Sequence, residues 1–142
     1  MLLLDTNVVS ELRKVANKRA DARVVAWAGR QDPESSFLSA VTIFEIERGI
    51  LQLERRDEAQ GAALRRWFDG DVLPNFEGRI LPVDSRVARR CAALHVPDPK
   101  PERDAMIAAT ALVHGLTLAT RNVADFRDMD VKIVDPWAEV DR

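Results

Sequence analysis

The chain has 142 residues, 46% of them hydrophobic, with 21 Lys and Arg, 23 Asp and Glu, a formal net charge of −2 and one cysteine. Such a length and apolar fraction suit one domain, residues 1–142, that buries its core without metal or disulfide staples, and the lone Cys91 excludes an internal disulfide or a cysteine-rich zinc site. The balanced charge excludes a global basic field for nucleic acid, and the lack of long apolar runs excludes a membrane partner, so the expectation is a cytoplasmic protein with any phosphate binding kept local.

Taken in order, Leu2 to Leu4 reads as a short strand that stops at Asp5-Thr6-Asn7, and Val8 to Leu12 begins a helical pattern. Helical spacing continues through Val24, Val25, Trp27 and Ala28 until Gln31-Asp32-Pro33-Glu34-Ser35 breaks it with turn chemistry. A second strand is expected over Phe37 to Ser39. Thr42 and Glu45 have the spacing of a capping box, which predicts a helix starting at Thr42 with Ile46, Ile50, Leu51 and Leu53 on its apolar side.

Gly61 to Phe68 reads as another helix ending near Gly70, and Pro74 to Gly78 as a loop. Ile80 to Val83 is then a strand and Ser85 to Leu94 a helix. Pro97-Asp98-Pro99-Lys100-Pro101 cannot be helical and delivers the chain into a helix from about Glu102 to His114, stopped by Gly115. Leu116 to Ala119 and Val131 to Val134 are the last strands. Alternating strands and helices predict an α/β fold with a mostly parallel central sheet covered on both faces.

Ligands of such sheets bind beyond the carboxyl ends of the strands. Asp5, Thr120 and Asn122 follow strand ends, while Glu45 and Asp104 are expected in the first turns of helices opening toward the same edge. Converging carboxylates repel one another, and a hard divalent cation such as Mg²⁺ relieves that repulsion while polarising a phosphodiester. Each acid also has a plainer role: Glu45 completes a capping box, Asp104 sits at the positive end of a helix, and Asp5 forms a turn or N-cap. Asp5, straight after three leucines, is the hardest of the three to explain by packing.

These residues carry a resemblance. Leu-Leu-Leu-Asp-Thr-Asn-Val-Val-Ser-Glu-Leu at the start, Glu45 after Ser39-Ala40-Val41-Thr42, Asp104 opening an Ala-rich helix, and Ala119-Thr120-Arg121-Asn122-Val123-Ala124-Asp125-Phe126 together resemble PIN-domain proteins of the VapC/FitB toxin type, in order and over nearly the whole chain. The resemblance implies a three-layer α/β/α PIN-like fold and a Mg²⁺- or Mn²⁺-dependent endoribonuclease whose metal-activated water leaves 5′-phosphate and 3′-hydroxyl ends. It also implies a small DNA-binding antitoxin, a homodimer and a larger toxin–antitoxin complex.

Carried over by position, Asp5 and Asp104 are the principal metal ligands and Glu45 the third acid. The fourth acidic position of many relatives is Asn122 here, an amide without charge, so Asp125 is a candidate substitute or else caps the loop before Phe126. Thr6 and Thr120 offer hydroxyls for supporting ligands or phosphate, or for ordinary turn bonds, and Arg121 is a candidate phosphate contact. His95, His114, Trp27, Trp67, Trp137 and Cys91 read as structural or surface residues, and the basic clusters, such as Arg86, Arg89 and Arg90, as solvated helix faces. The apolar side with Phe44, Ile50, Leu51 and Leu53 either enters the core or receives an antitoxin helix.

Two other readings stand beside the nuclease: a non-catalytic PIN fold that binds RNA or protein, and a phosphatase with Asp5 as nucleophile. The phosphatase pattern needs a second Asp at position 7, where the chain has Asn.

Overall fold

The structure, a computed structural model, describes residues 1–138. Five strands form one sheet: β1 (Leu2–Leu4), β2 (Ser36–Ser39), β3 (Ile80–Leu81), β4 (Thr117–Ala119) and β5 (Ile133–Val134), in the order β3-β2-β1-β4-β5. Every pairing is parallel, with Leu3 opposite both Phe37 and Leu118, and Leu118 opposite Ile133. All the carboxyl ends therefore share one edge. The chain builds outward from β1 to β2 and β3, then returns to add β4 and β5 on the other side, so the order reverses between β1 and β4. Such a switch point leaves a crevice at the carboxyl edge.

Side-chain alternation along the strands explains the three layers. Leu3 and Leu118 face one way, into a core with α6 (Ser85–Leu94) and α7 (Glu102–His114), through Val87, Cys91, Leu94, Ile107 and Ala111. Leu4, Leu38 and Ala119 face the other way, against α1 (Thr6–Leu12), α2 (Ala22–Gly29) and α3 (Ala40–Arg56), through Val8, Val24, Trp27, Ile46 and Ile50. Buried on both sides, the central strands read as unbroken apolar runs rather than alternating ones.

α3 starts at Ala40, with its N-cap three residues before the expected one. Ser39, the last residue of β2, caps it by accepting the Val41 N–H at 3.0 Å, and Thr42 takes no part in capping. The capping-box expectation is therefore overturned, and Glu45 stands in the second turn, not the first. α3 is followed by α4 (Glu58–Trp67), a π-turn at Phe68–Val72 and a short helix, α5 (Leu73–Asn75), so helix runs into the segment expected to be a loop.

α4 packs close on α3 at Gly61, where an added Cβ would stand 2.6 Å from Glu54 Cγ and 2.7 Å from its Cα. Arg65 ties the two helices by donating to both oxygens of Glu47 at 2.8 Å and to Glu54 at 3.4 Å. α6 and α7 occupy the expected spans, and α7 ends on Gly115 at φ 66°, the left-handed cap that glycine adopts without strain. No helix among the described residues is long and apolar enough to cross a membrane.

Candidate active site

Asp5 sits where β1 ends and α1 begins, at the switch point. Its backbone N–H still pairs with Ala119 of β4 at 2.9 Å, while its carbonyl accepts the first helical bonds from Val8 and Val9. The carboxylate is only 5% exposed. One oxygen accepts the Thr6 N–H at 2.8 Å, so Asp5 does serve as the N-cap of α1, and the other accepts the Thr120 hydroxyl at 2.7 Å. The Thr120 oxygen in turn accepts the Asn122 N–H at 3.0 Å. Asn7 bridges the same two loops, its carbonyl oxygen accepting from Arg121 N–H at 3.2 Å and its amide reaching Asp5 and Thr120 at 3.4 Å.

Glu45 reaches the edge from α3. One oxygen accepts the Thr6 hydroxyl at 2.5 Å and the other accepts Arg103 Nε at 2.9 Å. The Thr6 and Thr42 hydroxyls lie 3.1 Å apart, and because the Thr6 proton goes to the carboxylate, Thr42 donates to Thr6. Thr42 is fully buried, so this relay fixes Glu45 from below. Thr6 thus touches both acids, Asp5 with its N–H and Glu45 with its hydroxyl.

Asp104 lies in the first turn of α7, half-buried and without a hydrogen bond among the described residues. Burial raises its carboxyl above the ordinary value of 3.8, and the charges of Asp5, Asp125 and Glu45 raise it further, against a smaller opposing effect of Arg103. The Asp5 carboxyl is also raised, first by burial; hydrogen bonds from Thr120 and Thr6 pull it down, and the charges of Glu45 and Asp125 push it up again. Four carboxylates therefore share one electrostatic neighbourhood that the protein leaves under-compensated.

Asp125 is the fourth member of that neighbourhood, at an exposed position in the turn Val123–Phe126. That turn has no side-chain cap, from Asp125 or from Asn122. Asn122 is exposed and enters the network through its backbone N–H. Arg121 is exposed, its guanidinium 5.2 Å from the ring of buried Trp137. Among the described residues no three His, Cys, Asp or Glu side chains stand gathered as a ready-made cation site; Glu45 is held by Thr6 and Arg103, and Asp5 by Thr6 and Thr120.

The parts that Arg103, Thr42 and Asn7 play at this edge escaped the sequence reading, which took Thr42 as a helix cap and Asn7 only as a missing acid. Arg103 is adjacent to Asp104, but nothing in a lone arginine on a helix announces that it pairs with an acid 58 positions away. The apolar side assigned to α3 divides: Ile50 is buried and Leu53 partly so, whereas Phe44 and Leu51 are each 50% exposed. His95 has a structural bond, its Nδ1 accepting the Lys100 N–H at 3.0 Å, while Cys91, Trp27 and Trp137 are buried.

Comparison with known proteins places this architecture. The PIN domain family matches residues 2–132. VapC ribonuclease Y4jK of Sinorhizobium fredii is 37% identical, covering 96% of this chain and 98% of its own length. Toxin FitB of Neisseria gonorrhoeae is 40% identical, with 96% and 99% covered. The solved structure of FitAB bound to an IR36 DNA fragment superposes with a TM-score of 0.88 at 35% identity, over 99% of each chain. Near-complete coverage in both directions, on a five-stranded parallel sheet with its acids at the carboxyl edge, assigns the chain to the PIN-domain family, alongside the VapC and FitB proteins.

Proposed function

We propose that this chain is a metal-dependent endoribonuclease, a single PIN domain that acts in the cytoplasm as the toxin of a type II toxin–antitoxin pair. The observation that carries the reading is the placement of the acids: Asp5 at the end of β1 and Glu45 on α3 are tied together by Thr6, and Asp104 in the first turn of α7 follows Arg103, which bonds Glu45. Burial and neighbouring acids raise the Asp5 and Asp104 carboxyls. A cluster of buried and half-buried oxygen donors with too few cations is chemically suited to Mg²⁺ or Mn²⁺. Family membership and the ribonuclease name of a full-length relative support the same reaction.

Asp5 and Asp104 would hold the cation, with Glu45 contributing directly or through water and Asp125 adding charge where Asn122 has none. Bound there, the cation supplies Lewis acidity to the phosphodiester and lowers the pKa of water for in-line attack. The chain's own work is positional. Thr120 fixes one oxygen of Asp5, and Thr6 fixes the other through its N–H while holding Glu45 with its hydroxyl. Arg121, exposed at the rim, is suited to a phosphate. By likeness to the FitAB structure, whose DNA is named with it, the partner is a small DNA-binding antitoxin, and the family resemblance adds a toxin dimer within the larger complex.

The phosphatase reading needs an Asp at position 7, and Asn7 stands there instead, its side chain bonded to the Arg121 N–H, Asp5 and Thr120. A non-catalytic binding module has no need of several repelling acids in one place. The test is cleavage of a structured RNA panel, tRNAs included, with Mg²⁺ or Mn²⁺, beside EDTA and a folded Asp5→Asn variant. Cleavage that needs metal and Asp5 supports the nuclease, and equal activity in the variant refutes the assigned centre.

A further inference from the structure

Beside the acids, α3 presents Phe44, the residue before Glu45, with half of its surface exposed. Two guanidinium groups flank the ring, Arg48 from the next turn of α3 at 5.3 Å and Arg103 from α7 at 5.9 Å. Arg103 uses Nε on Glu45, and its terminal amino groups make no hydrogen bond among the described residues. Arg48 is exposed and forms no ion pair among them.

The other cation–aromatic pairs differ. Trp137, under Arg121, is buried, and Arg79, over Phe76, spends its guanidinium on the carbonyls of Pro33 and Ser36. Trp67, under Arg13, is partly buried and belongs to the second core. Among the described residues, only Phe44 combines a half-exposed ring, two neighbouring guanidinium groups and a direct bond from one of them to an acid.

We propose that Phe44, Arg48 and Arg103 form a nucleotide subsite that stacks one unpaired base of a single-stranded RNA and guides its phosphate toward the acids. This rests on the nuclease reading of the same site and names the substrate class, a single strand or an unpaired loop. A nucleotide presents a flat π-face and an adjoining anion, and the patch offers a half-exposed aromatic ring with two cations beside it. A duplex is excluded, since its bases are already stacked and cannot reach the ring. A protein partner docking through Phe44 and Leu51 would use the apolar surface but leave Arg48, which pairs with no acid among the described residues, unexplained.

The experiment measures binding of a short labelled single-stranded RNA to the full chain by fluorescence anisotropy in EDTA, beside a duplex of the same sequence. Phe44→Ala weakens single-strand binding roughly tenfold or more, and Phe44→Trp restores it. Duplex affinity does not change. Arg48→Ala weakens binding and lowers the salt slope by about one. In metal, Phe44→Ala raises KM and leaves kcat near wild type. Circular dichroism checks that these exposed-site variants stay folded.

Failure of the wild-type chain to bind the single strand, or unchanged affinity in Phe44→Ala, overturns the subsite even if the chain cleaves RNA. Loss in Phe44→Ala of self-association or antitoxin binding alone, with RNA affinity intact, also overturns it and makes the face a protein interface. Phe44-dependent binding without any metal-dependent cleavage leaves the subsite standing and removes the nuclease.

Discussion

Thr120 donates its hydroxyl proton to Asp5 across 115 positions of sequence, at 2.7 Å and out of contact with solvent. This bond joins the ends of β1 and β4 where the strand order reverses. Replacing Thr120 by Val keeps the shape and removes the donor, leaving a buried carboxylate oxygen short of a partner. The expected loss of stability is about 1–3 kcal/mol, read by denaturant unfolding. Because that bond lowers the Asp5 carboxyl, its loss raises the carboxyl further and moves the acid limb of the activity profile to higher pH.

Asp104, a proposed metal ligand, destabilises the folded state when it is charged. Its carboxyl is raised above 3.8, so the folded state takes up its proton more readily than the unfolded state does. The sign follows from linkage: stability falls as pH rises through the interval above 3.8, and the penalty is complete above the raised value. Asp104→Asn therefore abolishes cleavage yet raises stability at neutral pH by roughly 0.5–2 kcal/mol, the usual range for relief of this kind. The gain shrinks as the solution is acidified toward 3.8. Thermal melts of both proteins across pH check the direction, and a destabilised Asp104→Asn at pH 7 contradicts it.

Thr6 is expected to act through Glu45. Thr6→Val removes the 2.5 Å hydroxyl bond to Glu45, while the backbone N–H still caps Asp5. Activity falls roughly 10- to 100-fold, the usual effect of losing a group that orients a ligand, with the fold retained. Thr6→Ser restores most of it. Cleavage rates at saturating metal separate this from simple loss of cation affinity.

Gly61→Ala tests the α3–α4 contact. In an isolated helix this change stabilises by about 1 kcal/mol. Here the new methyl meets the backbone of Glu54, so α4 has to move and the Arg65 bridge to Glu47 loosens. Overpacking costs about 1–3 kcal/mol, and the net effect is a loss. A lowered unfolding midpoint is the expected outcome.

How far the sequence carried can be followed at particular residues. The position of Asp5 at a strand end was legible because three leucines and then an acid read as a buried strand meeting its edge, and α6 and α7 were legible from apolar spacing and the Gly115 stop. Glu45 was named from the acidic constellation and the resemblance, and what the fold overturned is its rival reading as part of a capping box with Thr42. Ser39 and Thr42 are both able to cap a helix, and local spacing favoured Thr42, but pairing of β2 with β3 ends at Ser39 and the helix must start there. Asp125 against Asn122 was not decidable from spacing, since which residue of a one-turn helix shares a field with Asp5 depends on how β4 delivers that turn. Arg103 lay beyond sequence reasoning altogether, because its partner comes from another helix.

The central claim is that Asp5 and Asp104, aided by Glu45, hold a divalent cation at the carboxyl edge of β1. The most direct test is a crystal of the full chain grown with Mn²⁺ and examined by anomalous scattering. A single strong peak is expected within coordination distance of the Asp5 and Asp104 carboxylates, absent from a folded Asp5→Asn crystal. A well-occupied Mn²⁺ elsewhere, with these carboxylates bare or protonated at neutral pH, would contradict it.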